Sequence, residues 1–484
     1  MSDTHLTIND LRGIDHECAV PFDLAIILQD GTRASLSCNK LVRAIPGRRL
    51  VFQAGWQGQD VFAKVFLDPV SASRDGERER QGSAALSQAG INTPALLYSG
   101  ALSDGAYLLL FALIPDSMTF QQAWLDSRNK REVQLLLVER MYRVFAAHHN
   151  AGFLHLDPHQ KNFLITDDVV YTLDCADIEV IGKPPTRSQA WYNLAVFFAI
   201  THADTDYLVA TGFPLYCKER GIPFVDIELS ILQSEIIRVR EYSREQYLDK
   251  KIFRECTEFV RKKQQGRLIV FRRDCDNQSV RDFIESPDTY IEKHMDRYLK
   301  QGRSSTVAVV RFQERLFVVK RYNIKNLWKG VAHAWRRTRA RKSWINAHRL
   351  LINGIRTAKP VILIENKFGP INLTSYFVTE YISGPNIQAY FQDSDISRDK
   401  KSQLADKIRI MFSRLNELNI SHGDMKASNI IINNDEPCLM DLDSMRKHRL
   451  NYILQRRQQK DRARFLKNWK HDKDAMTLFS DKLL

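Results

Sequence analysis

The sequence is poor in cysteine and has no long apolar segment. Its seven cysteines are scattered over 484 residues, and no two of them form a Cys-x-x-Cys pair. This odd, unpaired set argues against a disulfide framework or a zinc site and predicts a reducing, cytoplasmic environment. The longest apolar runs, 107–115 and 194–200, fall far short of the ~20 residues that span a bilayer. No basic head followed by an apolar core occurs near residue 1, so we expect no signal peptide.

Acidic residues are nearly absent from two stretches of the second half. Residues 325–342 contain seven Lys or Arg and no acid, and residues 446–470 contain ten Lys or Arg and one Asp. Together these stretches exceed the net charge of +14 of the whole chain. Such a surface suits an anionic partner: a lipid headgroup layer, a phosphorylated glycan or nucleic acid. The alternative is a solvated basic face whose interleaved tryptophans point into the core; these are Trp328, Trp335, Trp344 and Trp469.

The composition is that of a soluble globular protein with more than one domain. Apolar residues make up 44% and charged residues 26%, values that argue against a disordered chain. At 484 residues the chain exceeds what one hydrophobic core supports, so two or three domains are expected.

One pattern of polar residues occurs twice. HLDPHQKNFLI begins at His155, and HGDMKASNIII begins at His422. In each, an Asn follows the Asp of His-x-Asp by five residues, and a further Asp follows that Asn by twelve. The two sets are Asp157, Asn162 and Asp174, and Asp424, Asn429 and Asp441. A single His-x-Asp is weak evidence, but two spacings repeated together are hard to obtain by chance.

This spacing is typical of phosphoryl-transfer sites of the protein-kinase type. There the first Asp accepts the proton of the attacking hydroxyl, while the Asn and the second Asp hold Mg²⁺ against the phosphates of ATP. The apolar runs 163–165 and 430–432 predict a strand after each Asn, and the polar residues after them predict a hairpin turn. The alternative is a pair of hairpins with solvated acids at their turns.

A lysine within an apolar strand precedes each pattern. Residues 50–66 predict two strands around a turn with Gly55 and Gly58, which we expect to cover the nucleotide phosphates. Lys64 lies in the second of these strands, where a buried ammonium is costly unless it meets an anion. It is the candidate phosphate-binding lysine. A helix predicted over about residues 77–89 supplies the acid that would position it, and we choose Glu79 over Glu77.

The second half repeats this order with one part missing. Lys320 takes the corresponding strand position, and Gly302, followed by two nearby serines, stands where the phosphate-covering turn is expected. A helix is predicted over about residues 336–351. No acid occurs between Arg321 and Glu365, so Lys320 must be held from elsewhere or be loosely placed. We therefore expect the first half to carry most of the activity.

These segments resemble a known family. In the first half, RAIPGRRLVFQAGWQGQDVFAKVF, AGINTP and HLDPHQKNFLI look like the lipopolysaccharide core sugar kinases, the Kdo/heptose kinase family of Gram-negative bacteria. The second half looks like another branch of that family, through LKQGRSSTVAVV, VVKRYN, GIRTAKP, HGDMKASNIII, MDLDSM and RARFLKNW. The resemblance covers about residues 40–260 and 295–470.

The resemblance implies an α+β fold of two tandem protein-kinase-like domains, each with a small β-rich N-lobe and a larger helical C-lobe. We place the first domain, with a helical extension, at residues 1–285 and the second at 286–484. ATP and Mg²⁺ are the implied cofactors. Catalysis would use Asp157, Asp424 and Lys426; the nucleotide phosphates would be served by Lys64, Glu79 and Lys320; Mg²⁺ would be held by Asn162, Asp174, Asn429 and Asp441.

The resemblance also implies a partner and a location. The acceptor would be a sugar hydroxyl of lipid-linked core oligosaccharide, reached from the anionic cytoplasmic face of the inner membrane by a peripheral protein, with no nucleic acid involved. A protein or small-molecule acceptor is one alternative, although no activation-segment motif follows Asp174 or Asp441. In the other alternative one unit, the second rather than the first, is a pseudokinase scaffold that binds nucleotide or lipid.

Overall fold

The chain divides into two compact units, residues Met1–Tyr242 and Ser243–Leu484. The structure, a computed structural model, describes residues 5–14, 19–128, 130–264, 266–323, 337–369 and 371–483. Both units mix helices and sheets, as the predicted α+β class requires. The units divide earlier than the domain boundary placed at residue 285, because strands at 259–272 pair into the sheet of the second unit.

The first unit begins with a seven-stranded sheet in the order β1-β2-β3-β4-β5-β7-β6. Two helices, α1 (Ile8–Arg12) and α2 (Ala72–Gln88), accompany it. Its strands are β1 (His5–Thr7), β2 (Phe22–Ile27), β3 (Arg33–Ile45), β4 (Arg49–Trp56), β5 (Gln59–Phe66), β6 (Leu96–Ala101) and β7 (Tyr107–Ala112). Alternate apolar side chains of β2 to β5 face one core, as the period of a half-buried strand demands.

A mainly helical region completes the first unit. Its helices are α3 (Phe120–Asp126), α4 (Arg131–Asn150), α5 (Arg187–Phe198), α6 (Asp206–Glu219) and the part of α7 (Asp226–Asp249) that precedes Ser243. This region also contains five short strands: β8 (Met118–Thr119), β9 (Phe153–His155), β10 (Phe163–Ile165), β11 (Val170–Thr172) and β12 (Ile178–Val180). Leu137, Met141 and Phe145 of α4 recur at helical spacing and are buried against α5 and α6, so α4 enters the His-x-Asp loop from the core.

The second unit has its own seven-stranded sheet, in the order β13-β14-β18-β19-β17-β16-β15. The strands are β13 (Phe259–Gln264), β14 (Arg267–Arg272), β15 (Met295–Gln301), β16 (Ser305–Phe312), β17 (Arg315–Tyr322), β18 (Pro360–Phe368) and β19 (Ile371–Glu380). Helices α8 (Gln278–Glu285), α9 (Pro287–His294) and α10 (Arg339–Ile352) accompany the sheet. Strand β13 pairs antiparallel with β14, from Phe259 opposite Arg272 to Gln264 opposite Arg267.

The remainder of the second unit holds its His-x-Asp loop. Its helices are α11 (Ile387–Gln392), α12 (Arg398–Glu417), α13 (Asn451–Lys467) and α14 (Lys473–Leu483). Its strands are β20 (Ile420–Ser421), β21 (Ile430–Asn433), β22 (Glu436–Leu439) and β23 (Arg446–Lys447). As predicted, a strand follows each Asn, and an antiparallel hairpin (β10–β11 or β21–β22) leads back toward the second Asp.

Two of the four tryptophans in or next to the basic stretches are core residues. Trp344 and Trp469 are 0% and 2% exposed and pack in one cluster of the second unit. The Nε1 of Trp344 donates to the carbonyl of Ile252 at 3.1 Å. The reading of these two residues as part of an anion-binding surface is therefore wrong. Trp328, Trp335 and residues 324–336 lie outside the described residues.

Candidate active sites

In the first unit, Lys64 stands between two carboxylates. It lies on β5, a central strand that pairs with β4 and β7. Its Nζ donates to Glu79 Oε1 at 2.6 Å and to Asp174 Oδ1 at 2.7 Å. Glu79 also accepts the backbone N–H groups of Cys175 at 3.1 Å and Ala176 at 3.4 Å. The helix, the strand and the loop after Asp174 thus meet at one buried ion cluster.

Helix α2 approaches that loop closely because it carries glycine at the contact. A Cβ on Gly82 would lie 1.9 Å from the carbonyl oxygen of Cys175. Glycine inside a helix costs ~1 kcal/mol relative to alanine. That cost is offset here because the close approach places Glu79, one turn earlier, within reach of Lys64.

The charges of this cluster support one another. Burial raises the pKa of Asp174, but the opposing charge and hydrogen bond of Lys64, with Arg49 and Arg43 beyond, lower it to about 2. Burial lowers the pKa of Lys64, but Glu79 and Asp174 outweigh it and raise that pKa above its ordinary value. Lys64 and Asp174 are therefore both charged at neutral pH, the states needed to meet phosphate and metal.

Asn162 lies beside the metal-binding candidate Asp174. Its carbonyl accepts the N–H of Leu173, the residue before Asp174, at 2.7 Å. Its Nδ2 donates to the carbonyl of Asp157 at 3.0 Å, which leaves Oδ1 as the amide atom suited to a cation. His155 of His-x-Asp is buried, and its Nε2 lies 3.4 Å from the carbonyl of Leu173. Asp157 itself is exposed, as an acceptor-facing residue should be.

The turn nearest Lys64 is not the one that the sequence indicated. Gln59 is the first residue of β5 after the turn that contains Gly58. Lys64 lies five residues further on, a separation of ~17 Å along a strand. It pairs with Val51, two residues from the start of β4, so the turn at 46–48 is the close one. Arg43, just before that turn, has its Nη1 3.6 Å from Asp174 Oδ2. The register therefore places the turn at 46–48 beside Lys64, and Gly55 and Gly58 lie toward the opposite end of the strand.

The second unit forms the same lysine-to-Asp contact. Lys320 of β17 donates to Asp441 Oδ1, and Asn429 is tied to Asp424 and to Met440 as its counterpart is in the first unit. The carbonyl of Asn429 accepts the N–H of Met440 at 2.8 Å. Both second Asp residues also share a left-handed backbone, with φ of 51° at Asp174 and 58° at Asp441.

The carboxylate missing from the helix of the second unit is supplied by a loop. Asp443 Oδ2 lies 3.2 Å from Lys320 Nζ and accepts Arg339 Nη2 at 2.6 Å. Glu365, the next acid in the sequence, is engaged elsewhere: it accepts Thr338 Oγ1 at 2.5 Å and Arg341 Nη2 at 2.6 Å. Of the two alternatives that the missing helix acid left open, the structure shows the first: Lys320 is held by a residue from elsewhere, Asp443. The Asp-Leu-Asp sequence at 441–443 was the available signal.

The His-x-Asp loop of the second unit rests on α13. The buried carboxylate of Asp461 accepts the backbone N–H of His422 at 2.7 Å and that of Gly423 at 3.0 Å. Lys426 Nζ donates to Asp424 Oδ2 at 3.0 Å, so the two candidate catalytic side chains touch. Sequence reasoning missed Asp461 because it is one acid in a basic stretch, and nothing local marks it as buried.

The donor sets fit magnesium shared with phosphates. Mg²⁺ prefers oxygen ligands and is usually held by one or two carboxylates together with substrate phosphates. Each unit offers one Asp carboxylate and one Asn amide oxygen in that role. Among the described residues, no group of three or more His, Cys, Asp or Glu side chains forms a metal cage.

The second unit also has a match among protein families. Residues 294–478 match the model of the Lipopolysaccharide kinase (Kdo/WaaP) family. The match contains Lys320, Asp424, Asn429 and Asp441. No curated protein matches the chain. None of the helices in the described part of the chain is long and apolar enough to cross a membrane.

Proposed function

We propose that this chain transfers the γ-phosphoryl group of ATP to a sugar hydroxyl of the lipopolysaccharide inner core, because residues 294–478 match the model of the lipopolysaccharide kinase (Kdo/WaaP) family. The observation that carries the proposal is that the matched residues contain a lysine, Lys320, in contact with Asp441, next to Asn429 and the Asp424–Lys426 pair. A sugar hydroxyl is a weak nucleophile, and these groups orient it and neutralise the transferred charge.

Each residue has a task in this reaction. Asp424 aligns the acceptor hydroxyl and accepts its proton, and Lys426 balances the charge of the phosphoryl group in transit. Asn429 and Asp441 would hold Mg²⁺, which supplies charge stabilisation at the phosphate oxygens. Lys320 contacts the nucleotide phosphates.

The first unit is proposed as a second phosphoryl-transfer site in a tandem arrangement. Its support is the cluster of Lys64, Glu79 and Asp174 with Asn162 beside it. His159 takes the sequence place of Lys426 there, so the two sites differ in the side chain at that place. The pseudokinase reading of the second unit depended on an unpartnered Lys320, and Asp443 removes that reason.

The proposed place of work is the anionic cytoplasmic surface of the inner membrane. Helix α13 exposes Arg456, Arg457, Lys460 and Lys467, and its acid, Asp461, is buried. A helix face of this kind is attracted to anionic lipid at ~1 kcal/mol per basic side chain. It would hold the enzyme near a lipid-linked acceptor.

The test uses the full-length chain with ATP, Mg²⁺ and dephosphorylated core oligosaccharide, with mass spectrometry of the product. In a chain whose first site already carries Asp174→Ala, we expect Asp441→Ala to lower the remaining turnover by ~10²-fold or more, since the metal contributes several kcal/mol to the transition state. Asp174→Ala reports the share of the first unit in the same way. Asp399→Asn, an exposed acid at the start of α12, is the matched control.

Full turnover by a chain with both Asp174→Ala and Asp441→Ala would remove these sites from the reaction. Transfer to a protein or to a soluble sugar, with none to core oligosaccharide, would overturn the proposed acceptor while leaving the kinase chemistry in place.

A further inference from the structure

The strand lysine is anchored by different elements in the two units. In the first unit its second carboxylate partner, Glu79, comes from the helix that follows the lysine strand. In the second unit that partner, Asp443, comes from the loop that also carries Asp441. We propose that Asp443 is the positioning residue that holds Lys320 on the nucleotide phosphates; this proposal rests on the proposed function.

The positions of the two acids are exchanged between the units. Glu79 is the eighth residue of α2, and Asn346 is the eighth residue of α10. Both reach the loop after the second Asp: Asn346 Nδ2 donates to the carbonyls of Leu442 at 2.8 Å and Met445 at 3.1 Å. Asn346 thus takes the structural place of Glu79 without its charge.

The loop position shows the reverse exchange. Asp443 lies two residues after Asp441, and Ala176 lies two residues after Asp174. Of these two positions, the first unit has its carboxylate on the helix, and the second unit has its carboxylate on the loop. This reciprocity argues that what each site needs is one buried acid on the lysine, from whichever element can supply it.

The surroundings of Asp443 suit an anchor and not a metal ligand. Its side chain is 6% exposed, and one oxygen, Oδ2, already faces two cations, Lys320 at 3.2 Å and Arg339 at 2.6 Å. An acid neutralised in this way has little to offer Mg²⁺, whereas Asp441 is 35% exposed.

Arg339 gives α10 a separate connection to the site. Its guanidinium lies 4.8 Å from the centre of the Tyr322 ring, and its Nη1 donates to the carbonyl of Ser304 at 3.3 Å. The helix is therefore tied to Asp443 and to the turn before β16 by a cation. Lys320 itself depends on the loop, two residues from the metal-binding candidate Asp441.

The experiment measures the affinities of Mg²⁺-ATP and of adenosine by calorimetry. It uses the full chain with Lys64→Ala and Asp174→Ala, which weaken ATP binding at the first site. Asp443→Asn should lower Mg²⁺-ATP affinity by ~10- to 100-fold, the value of a charge-assisted contact, and leave adenosine affinity within ~2-fold. Because adenosine has no phosphate, this contrast isolates the lysine from general damage to the site.

Arg339→Gln separates anchoring of the lysine from tethering of the helix. We expect the fold loss of Mg²⁺-ATP affinity in Arg339→Gln to be less than a fifth of the fold loss in Asp443→Asn. Equal losses in the two variants would assign the effect to the helix tether and overturn the proposal. Unchanged ATP affinity in Asp443→Asn would also overturn it. If the parent chain itself binds no Mg²⁺-ATP, the proposed function fails first, and the two failures are thereby distinguished.

Should Asp443→Asn fail to fold, the arrangement of the first unit can be transplanted. The double variant Asn346→Glu, Asp443→Ala places Glu and Ala where the first unit has Glu79 and Ala176. A folded double variant that prefers Mg²⁺-ATP over adenosine as the parent does supports the proposal. A folded double variant without that preference overturns it.

Discussion

Asp174 and Asp441 adopt a left-handed backbone that non-glycine residues seldom take. Each stands immediately before a short 3₁₀ turn, Cys175–Asp177 or Leu442–Ser444. Aspartate tolerates this conformation better than most residues, and the strain of such positions, of order 1–3 kcal/mol, is characteristic of functional sites. The conformation turns the carboxylate back toward the lysine strand, as its contacts with Lys64 and Lys320 show.

Two neighbouring histidines make the stability of the first unit sensitive to acid. His148 and His149 are fully buried at the end of α4, and burial lowers their pKa values to about 3 and about 4. Their folded-state pKa values lie below the unfolded value of ~6.5, so their contribution is complete above pH ~6.5 and is lost as the pH falls below it. Each histidine costs ~1.4 kcal/mol per pH unit in that window.

Urea unfolding can be followed by tryptophan fluorescence at two pH values. We expect the free energy of unfolding at pH 5.5 to be clearly lower than at pH 7.5. His149→Gln should reduce this difference by ~1.4 kcal/mol. His202→Gln, at an exposed histidine, is the matched control for the substitution itself. The same pH dependence in parent and His149→Gln chains would show that His149 is not the group responsible.

At the scale of elements, the turn between β3 and β4 is flanked by arginines, whereas a turn made of glycines has no charged side chains. Gly47 supplies its one positive φ, 65°, and Arg43, Arg48 and Arg49 flank it. Arg43 contacts Asp174, and Arg48 Nη2 lies 3.9 Å from Asp75 of α2. We infer that this turn holds nucleotide phosphates by charge as well as by backbone.

The double variant Arg43→Gln, Arg48→Gln should weaken Mg²⁺-ATP binding at the first site by up to ~10-fold, since exposed charges are worth ~0.2–1 kcal/mol each. The loss should shrink in high salt because these side chains are solvated. Titrations with a chain that carries Lys320→Ala and Asp441→Ala measure it, and Arg33→Gln, at the far end of β3, is the control. A larger loss in high salt than in low salt would contradict the charge mechanism.

The sequence predicted helices, but it did not predict which residues distant in sequence contact one another. The helix predicted over about residues 77–89 corresponds to α2, and a lysine in an apolar strand predicted the Lys64 contact with an acid. The turn near Lys64 was missed because two glycines, Gly55 and Gly58, outweighed the Pro-Gly signal at 46–47. Glycine content indicates a turn, but only strand register shows which end of the sheet that turn occupies.

At the scale of the whole molecule, a repeated spacing predicted two similar sites, and each unit indeed brings its lysine to its second Asp. The spacing of residues along the sequence did not show which side chains are buried. Asp461 and Trp469 lie in a stretch that reads as uniformly basic, yet both are buried, and Arg339 and Arg341 are ion-paired. Charge counted along a sequence therefore overstates the charge that a surface presents.

The exchanged acids of the two units also limit how such a site can change by mutation. From the arrangement of the second unit, losing Asp443 alone leaves Lys320 with no second carboxylate, and Asn346→Glu alone sets three acids around one ammonium. Either intermediate carries an unbalanced charge in a buried place, which is costly. The helix form and the loop form are thus two stable solutions separated by disfavoured single steps, and a lineage that adopts one is held there until both positions change together.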